Sequence, residues 1–171
     1  MAQSFSPPST PVGSRPAQVP ANLLNELVAV IEQRTMMQFG TERRELLITT
    51  ITTLSANSSK GDPTSFIRGV MAPGGEAGMM ALIDALTINE TTFFRNVPQL
   101  NLFSRVVLAE IMERKRATNE PKQLKVWSAG CSTGQEAYTL PVLANEAILS
   151  QPSWKVQILG TDISPTVLDV A

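Results

Sequence analysis

Apolar residues recur at helical spacing from Ala21 onward. Leu23, Leu24, Leu27, Val28 and Ile31 form one stripe that runs to about Met37, where Gly40 offers a stop. A second stripe, Leu46, Leu47, Ile51 and Leu54, predicts a helix from Thr41 to about Ala56, although Ile and Thr lower its propensity. Asp62-Pro63 is a start signal, because Asp accepts bonds from free N–H groups and Pro at the first helical position gives up none. Phe66, Ile67, Val70 and Met71 supply a short apolar face before Pro73-Gly74-Gly75 breaks the chain. Met79, Met80, Leu82, Ile83 and Leu86 predict one more amphipathic helix, so residues 21–87 read as a small all-helical bundle.

The pattern changes in the second half. Leu100, Phe103, Val107 and Ile111 place a stripe on a long helix from about Val97 to Ala117, which ends in Glu113-Arg114-Lys115-Arg116, cations suited to a helix C-terminus. After a polar turn, Leu124-Lys125-Val126-Trp127-Ser128-Ala129 reads as a strand running directly into Gly130-Cys131-Ser132-Thr133-Gly134. A helix beginning at Glu136 continues to about Ser150. Trp154 to Leu159 predicts a second strand, closed by Gly160-Thr161-Asp162, and Ser164-Pro165 opens a third helix. Strand, glycine loop, helix, strand, acidic residue, helix start is the order of the first half of a doubly wound nucleotide-binding fold. The expected division is a Pro/Ser-rich tail over 1–20, the helical domain over 21–87, a linker and long helix over 88–120, and an incomplete α/β domain over 121–171.

Composition narrows the chemistry mainly by exclusion. Hydrophobic residues make up 43% and charged residues 17%, enough apolar side chain for a core. The net charge of −1 gives no whole-chain field for nucleic acid or anionic lipid. Cys131 is the single cysteine and there is no histidine, which removes an internal disulfide, a cysteine-rich zinc site, a Ser-His-Asp triad and a His general base. Met1 to Pro20 carries five prolines and no apolar block like that of a signal peptide. No run reaches the roughly 18 apolar residues of a membrane span. A cytoplasmic protein with no metal and no membrane insertion is expected.

Two clusters hold candidate chemistry. Gly130 and Gly134 allow a backbone to approach a ligand where a Cβ would block it, and Asp162 at the tip of the second strand can accept hydrogen bonds from both ribose hydroxyls. The G-x-x-x-G spacing departs from the dinucleotide fingerprint, which favours adenosine carried on something without phosphates; a plain structural turn stays open. The second cluster is Ile88-Asn89-Glu90-Thr91-Thr92-Phe93-Phe94-Arg95-Asn96. There Asn89 or Thr91 would cap a helix, Phe93 and Phe94 would fill the core, and a guanidinium beside buried aromatics would want a bidentate anion such as a carboxylate. Cys131 reads as a small residue fitting its loop, because no neighbour would activate a thiolate. Arg34, Arg43, Arg44 and Arg68 form either an ordinary solvated face or a basic patch for an acidic protein partner.

The stretch Ile83-Asp84-Ala85-Leu86-Thr87-Ile88-Asn89-Glu90-Thr91-Thr92-Phe93-Phe94-Arg95, followed by Val126-Trp127-Ser128-Ala129-Gly130-Cys131-Ser132-Thr133-Gly134-Gln135-Glu136-Ala137-Tyr138 and by Gly160-Thr161-Asp162-Ile163-Ser164, resembles the chemotaxis receptor methyltransferases, the CheR family. The resemblance runs from about Ala21 to Ala171. It implies a helical N-terminal domain followed by the first half of a Rossmann-like domain that binds S-adenosylmethionine. It further implies methylation of glutamate side chains on the cytoplasmic helices of chemoreceptors. Carried across by motif, Asn89, Thr91 and Arg95 would line the cofactor's methionine end, with Arg95 holding its carboxylate or ordering the reacting groups as the catalytic residue. Glu136 would contact the methionine or sugar region, and Asp162 the ribose hydroxyls. The family's sheet continues beyond a second strand, so the 171 residues are expected to be a fragment, poorly stable and inactive alone, with an exposed edge and apolar face. Two other classes remain: a non-catalytic docking protein with a vestigial cofactor domain, and a methyltransferase acting on a small molecule.

Overall fold

The computed structural model describes residues 19–58 and 61–171, and the tail expected over 1–20 lies, but for its last two residues, outside them. The chain separates into two compact units, one ending at Leu86 and one running from Thr87 to Ala171. No helix among the described residues is long and apolar enough to cross a membrane.

The first unit has α1 (Ala21–Thr35), α2 (Thr41–Ala56), α3 (Pro63–Met71) and α4 (Glu76–Leu86). Its core joins Leu23, Leu27, Val28 and Ile31 of α1 to Leu47 and Ile51 of α2, Ile67 and Val70 of α3, and Met79, Leu82, Ile83 and Leu86 of α4. Helix α1 ends two residues sooner than its apolar stripe. Met36 takes the left-handed conformation at φ +60°, the Thr35 hydroxyl turns back to the Ile31 carbonyl, and Glu32 accepts the Phe39 N–H at 2.9 Å. Gly40 is not the stop but the first residue before α2, its carbonyl accepting the Arg44 N–H. Leu46 and Met80, placed on inward stripes by spacing, are exposed, and Ser55 fills the inward position one turn beyond Ile51. Asp62 caps α3 as expected, taking the Ser65 N–H at 2.7 Å with Pro63 at the first helical position. Of the four arginines read as a patch, Arg44 donates to Asn25 at 2.8 Å and so links α2 to α1.

The second unit opens with residues 87–96, which form no helix, so Asn89 and Thr91 cap nothing. The expected single helix over 97–117 is split into α5 (Val97–Leu102), a π-turn over Phe103–Val107, and α6 (Leu108–Ala117). In the π-turn the Leu108 N–H reaches back five residues to the Phe103 carbonyl. The wider turn absorbs one extra residue and rotates everything after it. Leu108 and Met112 therefore face the core, while Val107 is exposed and Ile111 only half-buried. They pack with Leu124, Ala144 and Trp154 in the core of this unit. Trp154 lies just before the second strand, not within it, with the Arg116 guanidinium over its ring at 5.7 Å.

Strands β1 (Gln123–Ala129) and β2 (Lys155–Thr161) pair in parallel, from Gln123 opposite Lys155 to Ala129 opposite Thr161. Helix α7 (Gln135–Ile148) connects them and packs against both, and α8 (Pro165–Leu168) follows β2. This in-register pairing brings the two carboxyl tips side by side, which puts the 130–134 loop next to Asp162.

Candidate functional site

The loop leaves β1 by a turn that only its glycines and one strained residue allow. Gly130 sits at φ +77° and Gly134 at φ +95°, and Ser132 between them holds φ +49° despite its side chain. The Gly130 and Cys131 N–H groups both donate to the Thr161 carbonyl, at 2.7 and 2.9 Å, which carries the chain across the end of β2. A Cβ at Gly130 would meet nothing within 4 Å, whereas one at Gly134 would stand 3.2 Å from the Tyr138 ring. The space around Gly130 is thus open. Gly134 makes the turn into α7 and lies against the Tyr138 ring.

Asp162 is the hub of the loop. One carboxylate oxygen accepts the Ser132 N–H at 2.8 Å and the other the Ser164 N–H at 2.9 Å, so a single side chain pins the loops after both strands. A carboxylate offers about four acceptor positions, so two remain for hydroxyl donors. Glu136, exposed in the first turn of α7, accepts the hydroxyl proton of buried Ser128 at 2.7 Å.

Residues 87–96 meet this framework through their backbone. The Ser132 hydroxyl donates to the Asn89 carbonyl at 2.8 Å, and the Thr139 hydroxyl oxygen accepts the Phe94 N–H at 3.3 Å. Asn89 is therefore joined to the loop, and Thr91, half-buried, lies two residues further along the same segment. Arg95 is exposed, its guanidinium donating to the Glu90 carbonyl at 2.7 Å. Among the described residues it makes no hydrogen bond to Asp162 or Glu136. Phe93 and Phe94 are 59% and 48% exposed, which overturns the expectation that they fill a core beside Arg95. The cause is local: Phe94 and Asn96 both adopt positive φ, and the irregular segment turns both rings outward.

Cys131 is buried, and desolvation first, then the Asp162 charge, push its thiol above the ordinary value. That environment opposes a thiolate, in keeping with a packing role. An added Cβ at Gly160 would come within 3.0 Å of the Cys131 sulfur and 3.5 Å of the Ala137 Cβ, so Gly160 is what lets loop and helix close onto β2. Reasoning from the sequence missed Gly160, Ser128, Ser132 and Thr139 as site-building residues. The signal available was the density of hydroxyl residues around the two loop glycines.

Residues 89–171 match the family model described as CheR methyltransferase, SAM binding domain. A chemotaxis protein methyltransferase of Borreliella burgdorferi is 28% identical over 149 residues, covering 86% of this chain and 52% of the relative. Chemotaxis protein methyltransferase 1 of Pseudomonas aeruginosa is 37% identical over 93 residues, 53% of this chain and 32% of the relative. A chemotaxis protein methyltransferase of Vibrio anguillarum is 28% identical over 142 residues, 82% of this chain and 50% of the relative. The chain thus spans about half the length, or less, of these relatives. Its loop, its strand tips and residues 89–96 all fall inside the stretch matched by the family model, and that match to a CheR SAM-binding domain points to S-adenosylmethionine as the cofactor.

Proposed function

We propose that this chain carries the cofactor-holding part of a protein-glutamate methyltransferase that esterifies carboxylates on the cytoplasmic helices of chemoreceptors, and that it works in the cytoplasm. The observation that carries the reading is the meeting of three elements at the carboxyl tips of β1 and β2: the 130–134 loop, Asp162, and the backbone of residues 89–94. A parallel β-α-β unit with its site at that edge is the start of a Rossmann-like sheet.

The residues fit the cofactor. Gly130 leaves open space where a side chain would stand, and Asp162 keeps acceptor positions for a pair of ribose hydroxyls after binding two backbone N–H groups. Asn89, Thr91 and Arg95 would hold the methionine end, Arg95 as bidentate partner of its carboxylate with donors beyond the one given to Glu90. Glu136, steadied by Ser128, is an acceptor for the cofactor's ammonium or sugar. When bound, S-adenosylmethionine supplies an electrophilic methyl group on a positively charged sulfur. The protein needs no general base, since a glutamate acceptor is already ionised near neutral pH. That suits a chain without histidine. Its residues have to align donor and acceptor and keep water from both charges.

Isothermal titration calorimetry with S-adenosylhomocysteine tests the cofactor site, and radiolabel transfer from S-adenosylmethionine into receptor helices as a base-labile ester tests the acceptor. The transfer assay uses the polypeptide as its gene encodes it. Saturable heat that Arg95→Ala weakens tenfold or more is expected. Absence of heat with the unaltered protein refutes the reading. Transfer to a small molecule and none to receptor helices would keep the cofactor and remove the substrate.

A further inference from the structure

We propose that the hydroxyls of Ser132 and Thr139 are positioning groups: a two-point brace that holds residues 89–94 against the cofactor loop and so fixes the methionine-binding side chains. The proposal rests on the cofactor reading above and concerns residues that touch the cofactor only through others.

The two contacts grip the segment at either end. Ser132 Oγ donates to the Asn89 carbonyl at 2.8 Å, and Thr139 Oγ1 accepts the Phe94 N–H at 3.3 Å, so the span from Asn89 to Phe94, with Thr91 inside it and Arg95 next to it, is held at both limits. Both braces are buried, Ser132 6% and Thr139 2% exposed, so water does not replace the bonds readily. Each hydroxyl is itself fixed. Ser132 is locked by its N–H to Asp162 and by φ +49°, and Thr139 donates its own proton to the Gln135 carbonyl at 2.6 Å. The segment has no regular secondary structure, and its two phenylalanines point outward, so it lacks the apolar anchoring that would otherwise define it. Ser132 holds a left-handed backbone angle that favours glycine, yet keeps a side chain there. The bond to Asn89 gives that side chain a use.

A brace of this kind acts on the methionine end and not on the nucleoside. Calorimetry on the full chain with S-adenosylhomocysteine and with 5′-methylthioadenosine, which lacks the amino acid, separates the two. Ser132→Ala and the near-isosteric Thr139→Val are each expected to weaken S-adenosylhomocysteine about fivefold, the value of one ordinary hydrogen bond. Methylthioadenosine binding should stay within about twofold. In an Arg95→Ala background both losses should shrink, because the group being positioned is gone. Amide hydrogen exchange without ligand gives an independent readout: Thr139→Val should speed exchange at Phe94 while leaving the core of α7 protected. Equal loss of both ligands, no loss of either, or unchanged exchange at Phe94 would overturn the brace. If the unaltered protein binds neither nucleoside, the cofactor reading fails and the brace falls with it, whereas normal binding with indifferent variants removes the brace alone.

Discussion

Replacing Asp162 by asparagine removes a charge while keeping the shape, and the structure sets the expected cost. The carboxylate accepts two backbone N–H groups, from Ser132 at 2.8 Å and Ser164 at 2.9 Å. Asparagine can satisfy one of them with its carbonyl, as a neutral bond worth about 1 kcal/mol less than the charged one. Its amide must then face the other N–H donor to donor, leaving that group unsatisfied at about 1–2 kcal/mol in a partly buried site. The sum is about 2–3 kcal/mol. Both tryptophans, Trp127 and Trp154, lie in the unit over 87–171, so their fluorescence follows urea unfolding of that unit and not of the helices before it. With a urea slope near 1 kcal/mol/M for a unit of this size, the midpoint should fall by roughly 2–3 M. A fall under about 0.5 M would mean that the carboxylate does not pin the two loops.

Three further outcomes are expected. By the same titration, Gly134→Ala should cost about 1–2 kcal/mol for the positive φ and more for the Tyr138 ring 3.2 Å from the new Cβ, exceeding Gly130→Ala, where nothing lies within 4 Å. The reverse order would refute the packing argument. Cys131 should react with a thiol reagent at pH 8 at least about tenfold more slowly than free cysteine and reach the free rate in denaturant, since burial raises its pKa and blocks access. Asp62→Ala should lower the stability of the first unit at neutral pH, read by far-ultraviolet dichroism. Bonds from the Ser65 N–H and hydroxyl first, with Arg68 adding a smaller pull, hold the Asp62 carboxyl below its ordinary value of 3.8. Its contribution is therefore present above that value and lost as pH falls through the lowered one, so wild type and variant should converge in acid. A gap that persists there would refute the assignment.

Much of the framework was legible because it is local. A run of β-forming residues feeding a G-x-x-x-G loop and then a helix defines its own turn, and Asp162 follows a second such run. Asp62-Pro63 marked a helix start for the same reason. What escaped was set at a distance. The bonds from Ser132 to Asn89 and from Thr139 to Phe94 join residues 43 and 45 positions apart, which no pattern within one element reveals. The π-turn at Phe103–Val107 keeps the composition of an ordinary helix while shifting its face by one residue, so the stripe through Val107 failed and Leu108 and Met112 took the inward positions instead. Phe93 and Phe94 misled because size and apolarity argue for burial only where the backbone can turn the ring inward.

Asp162 and Arg95 now divide two roles that a loss of activity alone would merge. Asp162 holds the loop together through its two backbone bonds, so its substitution should lower stability and cofactor affinity in parallel, even if it never touched a ribose. Arg95 is exposed and gives the framework one bond, to the Glu90 carbonyl, so removing it should leave the urea midpoint nearly unmoved. Affinity lost at Arg95 without stability lost identifies a ligand contact, while affinity lost at Asp162 does not until the loss exceeds what unfolding of the loop accounts for. The conservative Asp162→Glu supplies that comparison. It retains the charge for the backbone donors but moves the carboxylate by one methylene, so an affinity loss larger than its stability loss would assign the ribose contact to Asp162 directly.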